Sequence, residues 1–209
     1  MHSEPIARLL IPVMIVSLIL LLTGGCAMER TVAPDSVAET YGSPDDELDF
    51  LDGLERRRVV TNHDALFGLL MAADQAGVPE VYEEQLAAAR ERGWVSSDRD
   101  LPANESARVG MIAVAVCDIL EIKGGVTMRL FGPSPRYATR ELVFRRILPR
   151  RTENQSMTGL EFIDLLSRVQ ERQDFRRAEQ AREARRENGS RTDARPRIDE
   201  AAGATEELG

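Results

Sequence analysis

Two cysteines and two histidines are the whole supply of thiols and imidazoles in the 209 residues. Cys26 closes "LILLLTGGCAME" (18–29), where an apolar run gives way to two glycines and then to polar sequence. Cys117 lies in "VGMIAVAVCDIL" and reads as a small buried thiol rather than a reactive one. His2 stands at the extreme N-terminus, and His63 falls in the first turn of a predicted helix, as an exposed polar residue. No H-E-x-x-H, paired-cysteine, P-loop or G-x-S-x-G pattern occurs, so no metal and no cofactor is expected. Carboxylates are plentiful, but their spacing follows helix faces and charged tails. A cell-wall enzyme working with two carboxylates is the catalytic reading left open.

A different chemistry is concentrated in "KGGVTMRLFGPSPRYATRE" (123–141). Lys123, Arg129, Arg136 and Arg140 gather positive charge on an acidic chain, beside Phe131 and Tyr137. Guanidinium forks suit carboxylates and phosphates, and aromatic faces suit sugar rings or stacked arginines. Lys123, Arg129, Arg136, Tyr137 and Arg140 are therefore the candidate ligand-binding residues. The alternative is a structural loop whose arginines pair with local acids such as Glu141.

The N-terminal 25 residues have the make-up of an export signal. Arg8 precedes an apolar run from Leu9 to Leu22, broken only by Pro12 and Ser17. Fourteen residues suit a signal h-region and fall short of the roughly 20 that span a bilayer as a helix. Leu22-Thr23-Gly24-Gly25-Cys26 resembles a bacterial lipobox. The resemblance implies that the Cys26 thiol takes a diacylglyceryl group and that Cys26 becomes the first residue of the mature chain. It also implies an anchor in the outer membrane where there is one, since the next residue is Ala27 and not the Asp that often marks inner-membrane retention. With Cys26 acylated, Cys117 has no partner for an internal disulfide. Net charge is −8 and stays so without residues 1–25, which hold one Arg and one Glu. That sign, together with export, argues against a nucleic-acid partner.

Residues 26–45 are polar, contain two prolines and lack helical periodicity, as a flexible tether does. Residues 171–209 hold 9 Arg and 10 Asp or Glu; their first half extends a helix, and disorder is expected from Asn188. Between them, residues 46–170 carry about six helical patterns, so the fold class is all-α. Leu48, Leu51 and Leu54 mark the first; Leu66, Leu69, Leu70 and Ala73 the second; Tyr82, Leu86, Ala89 and Gly93 the third. "VGMIAVAVCDIL" (109–120), apolar all round except at Asp118, is expected to be a central buried helix, with a strand as the alternative for its Val-rich part. A fifth helix starts near Arg136, and the sixth carries Phe162, Leu165, Leu166 and Val169.

These elements pair into three helix-loop-helix units. Two second helices open on Thr61-Asn62-His63-Asp64 and Thr158-Gly159-Leu160-Glu161, in which a Thr caps the helix and an acid three residues on reaches back. The units resemble divergent S-layer homology (SLH) repeats. The residues concerned are Thr158, Glu161 and Phe162 in unit three, Gly93-Trp94-Val95, Leu101-Pro102 and Ser106 in unit two, and Thr61 and Asp64 in unit one. The resemblance implies the SLH arrangement of helix pairs. In polymer-binding members the residue after Thr is commonly an Arg on the glycan, whereas here it is Asn62, Ala107 or Gly159. The expected function is a lipid-anchored, non-catalytic binding or scaffolding module of the cell envelope, for a wall polymer or an envelope protein. An accessory lipoprotein that binds a partner through its charged C-terminal helix is the alternative.

Overall fold

The computed structural model describes residues 30–73, 77–125, 128, 130 and 132–193. The expected export signal, Cys26 and Arg129 lie outside the described residues. The chain divides into two units, Met1–Thr31 and Val32–Gly209. Within the second unit the described residues form six α-helices and two isolated β-bridges, as the all-α reading requires. They are α1 (Glu47–Glu55), entered through a single 3₁₀ turn, α2 (Asn62–Ala73), α3 (Tyr82–Glu91), α4 (Val109–Ile119), α5 (Pro135–Phe144) and α6 (Gly159–Asp193).

Two helices form the centre. Every residue of α2 from Asn62 to Met71 is buried, and α2 packs on α3, α4 and α6. In α4 only Asp118 is exposed; Met111, Ile112, Val116, Ile119 and the adjoining Leu120 are all buried, as the sequence predicts. The face of α1 differs from the expected line of Leu48, Leu51 and Leu54. Phe50 and Leu54 are the buried pair, four residues apart, while Leu48 is 79% exposed. The T-shaped contact of Phe50 with Phe67, at 4.7 Å between ring centres, accounts for the choice. In α3, Gln85 and Ala89 are buried, and Gly93 ends the helix in the left-handed conformation that glycine adopts freely.

The segments entering α2, α4 and α6 meet and bond to one another. Ala107 N–H donates to Val60 O at 2.9 Å and Val60 N–H to Met157 O at 3.0 Å. Val109 N–H donates to Gln155 O and Gly110 N–H to Glu153 O, closing the third side. Helix starts leave backbone N–H groups without partners, and here carbonyls of the segments ahead of α4 and α6 accept from several of them. Where a cap was expected it is present: Asp64 N–H donates to Thr61 Oγ1, and Thr158 N–H to Glu161 Oε2 at 2.8 Å. Helix α4 has no such box, and the carbonyls of residues 153 and 155 take its place.

The boundary expected at residue 45 moves upstream. Val32 bridges Glu105, Ala33 N–H donates to Asn104 O, and Ser36, Val37 and Ala38 are buried. Asp64 Oδ1 accepts Val37 N–H at 2.7 Å and Ala38 N–H at 3.0 Å, so a carboxylate in the core ties this strap down. Residues 32–42 thus belong to the domain. At the other end α6 continues to Asp193, past Asn188-Gly189, where disorder was expected to begin.

A basic and aromatic face as the candidate functional site

Helix α5 places three of the predicted site residues. Pro135 starts it with a φ already suited to a helix, and Thr139 Oγ1–H donates back to Pro135 O at 2.7 Å. Ala138, Thr139 and Leu142 turn into the core against α4. At 100° per residue the opposite side carries Arg136, Tyr137, Arg140 and Phe144, all exposed, Phe144 to 82%. Among the described residues neither Arg136 nor Arg140 has an ion-pair partner. Glu141, the acid expected to neutralise this region, is taken by Arg145 at 2.7 Å instead.

Lys123 is not part of that helix face. It is exposed past the end of α4, where with Arg92, Trp94, Asp118 and Pro133 it lines a groove of about 250 Å³. The Arg92 guanidinium stands 5.4 Å from the Trp94 ring centre, and the indole N–H donates to Asp118 Oδ2 at 2.9 Å. The structure therefore brings Arg136, Tyr137 and Arg140 together and leaves Lys123 apart. Phe144, Arg146 and Arg150 are exposed additions that the sequence reading did not single out. The signal for Phe144 was its seven-residue spacing from Tyr137, two helical turns.

Other arginines close helix ends. Arg168, Arg172 and Arg176 follow one another at four-residue spacing along α6. Arg168 Nη1 donates to Arg146 O and Ile147 O, Arg172 Nη2 to Arg145 O, and Arg176 Nη1 to Leu120 O at 2.6 Å. They satisfy the last carbonyls of α4 and of the turn after α5, where a cation also suits the helix dipole.

Ser36, His63 and Asp64 invite comparison with a nucleophile, base and orienting acid, since Ser36 Oγ is 2.8 Å from His63 Nδ1. The arrangement cannot act as one. Ser36 is 1% exposed, and Asp64 gives its oxygens to the N–H groups of Thr61, Val37 and Ala38 rather than to the imidazole. His63 is buried, not exposed as expected, and its Nε2 has no partner among the described residues. Burial lowers its pKa, against the opposing fields of Asp64, Glu39 and Glu83. Burial likewise pushes the Cys117 thiol up to about 12, in keeping with an inert core residue.

The three positions after the cap residues are closed. Asn62 is fully buried with its side-chain N–H on Pro102 O, and Ala107 is fully buried. A Cβ on Gly159 would stand 1.7 Å from Leu54 O. No ligand reaches these positions, and none could carry an arginine without rebuilding the junction. No protein-family model, characterised protein or solved structure matches the chain.

Proposed function

We propose that this chain is a lipid-anchored cell-envelope protein acting as a non-catalytic binding or scaffolding module, held through a diacylated Cys26. Its basic and aromatic α5 face would engage an anionic component of the envelope. The observation that carries the reading is the pair Arg136 and Arg140, exposed and without ion-pair partners among the described residues, on a chain of charge −8. The lipobox-like Leu22–Cys26 supports the anchor, and Ala27 favours the outer membrane over the inner where both exist. Equivalent placement of the segments entering α2, α4 and α6 supports a divergent SLH-like origin for the three units.

Labelled fatty acid tests the anchor. Cys26→Ser should take up no label and leave the membrane fraction, because two or three acyl chains hold firmly where one is marginal. Label retained by the substituted protein would place the lipid elsewhere. A second reading has its own observation: among the described residues Arg176 makes the last hydrogen bond from α6 to the body of the domain, and residues 177–186 are exposed throughout. On that reading the charged arm of α6 recruits an envelope protein, and a chain ending at Arg177 should lose that partner in a pull-down while keeping its fold.

A further inference from the structure

We infer that the outward face of α5, with the turn after it, docks on a bilayer containing anionic phospholipid and holds the domain flat on the membrane. The inference rests on the anchor reading above for proximity and on the face itself for chemistry. Charge is divided sharply along the chain: residues 122–151 hold eight basic residues and one acid, while residues 33–55 hold eight acids and no base. A protein of net charge −8 is repelled by an anionic surface unless it presents such a face.

Two features favour a bilayer over a soluble polyanion. Phe144 is 82% exposed on this face, with Tyr137 partly exposed beside Arg136 and Arg140. Apolar side chains interleaved with arginines gain from the boundary between headgroups and acyl chains, where both are served. A polyanion in water rewards the arginines and, through sugar rings, the Tyr137 face, but it offers no apolar layer in which to bury Phe144. The second feature is reach. Val32 is already bonded to the domain, so only residues 27–31 separate it from Cys26, and six extended steps cover at most about 20 Å. A lipidated chain therefore keeps the domain at the bilayer surface, where a basic face meets phosphate continuously. Pro135, which precedes Arg136, packs on Gly110, five residues beyond the Glu105 that Val32 bridges.

The test uses full-length Phe144→Trp protein, purified from membranes and reconstituted into vesicles of phosphatidylcholine alone or mixed with phosphatidylglycerol, each with brominated phosphatidylcholine as quencher. Native Trp94 is buried with its indole N–H on Asp118, and serves as the unquenched reference for folding. The introduced tryptophan should be blue-shifted and quenched in the anionic vesicles, released by salt, and unquenched in neutral ones. Changing Arg136, Arg140, Arg146 and Arg150 to Gln should lower the ratio of docked to undocked protein by at least about tenfold, with Trp94 emission unchanged. Absence of quenching, equal quenching in both vesicles, or indifference to the four substitutions would overturn the proposal. A blue shift seen only on adding purified wall polymer overturns it too and assigns the face to that polymer. Protein that fails to float with neutral vesicles sinks the anchor reading separately. The anionic arm then still decides the face, since salt-sensitive binding there depends on these arginines.

Discussion

Asp64 and His63 are neighbours that hold the same strap by opposite means. The carboxylate collects three backbone N–H groups, two of them from Val37 and Ala38, and so gains from its charge. The imidazole sits against the Tyr82 ring at 5.2 Å with Nε2 unpartnered, and is better neutral. Its folded pKa lies below the ordinary 6.5, so the unfolded chain takes up the proton first as pH falls. Stability from this residue is present above about 6.5 and is lost as pH drops through the lowered folded value, with a slope of at most ~1.4 kcal/mol per pH unit. Melting temperature should therefore decline between about pH 7 and pH 5, and His63→Gln should flatten that decline. An unchanged slope would mean that folding leaves the His63 imidazole titrating as it does in the unfolded chain. Gly159 is the other residue whose identity is dictated by its surroundings. Gly159→Ala should cost about 3 kcal/mol or more, because the backbone of Leu54 rather than a flexible side chain occupies the space. Gly77→Ala, with nothing within 4 Å, should be near neutral in the same melting experiment.

Among the elements, α6 joins the parts that the shorter helices begin. Its buried Phe162, Leu165 and Val169 pack on α1 and α2, and its arginines at 168, 172 and 176 close the carbonyl ends of α4 and the turn after α5. Hydrogen bonds from a charged donor are the stronger kind. Arg176→Ala should accordingly cost about 1–2 kcal/mol, read as a fall of a few degrees in melting temperature. Gln at that position should recover part of the loss and a buried leucine none. Spacing alone could have suggested this ladder, but nothing in the sequence says that carbonyls of residues 120 and 145 stand opposite it. The same limit explains α1. Leu48, Leu51 and Leu54 form an acceptable apolar line, yet Phe50 is taken inward because Phe67 of another helix offers an edge-to-face partner. Capping boxes and α4, apolar but for Asp118, were legible because their causes are local. The choice between faces of α1, and the gathering of Arg136, Tyr137, Arg140 and Phe144 on one side of α5, depend on which side the core lies.

At the scale of the whole molecule, the segments entering α2, α4 and α6 are stitched at a common junction, and the strap of residues 32–42 is bonded to the start of α2 and to residues 104 and 105 ahead of α4. The strap was the least legible part of the fold. "APDSVAET" has the composition of a linker, and its two buried apolar side chains are small. Its partners, His63 and Asp64, lie 26 and 27 residues further on. What holds it is a set of specific hydrogen bonds in a dry site, and no hydropathy pattern announces those. A chain beginning at residue 46, the boundary suggested by composition, would leave the Asp64 carboxylate without two of its three backbone donors and His63 Nδ1 without Ser36. Val37 also covers Gly53 of α1, so its removal opens that helix to water. Stranding one buried charge alone costs about 3–5 kcal/mol. We therefore expect the chain from residue 46 to melt roughly 10 °C or more below one beginning at residue 30, given about 2–4 °C per kcal/mol for a domain of this size. Asp64→Asn in the longer chain should reproduce much of the difference, since the amide keeps the shape and gives up the charge. Equal melting temperatures for the two chains would show that the strap rests on the surface without supporting it. Residues 32–42 would then be spare tether, adding length to the chain ahead of the domain without adding stability.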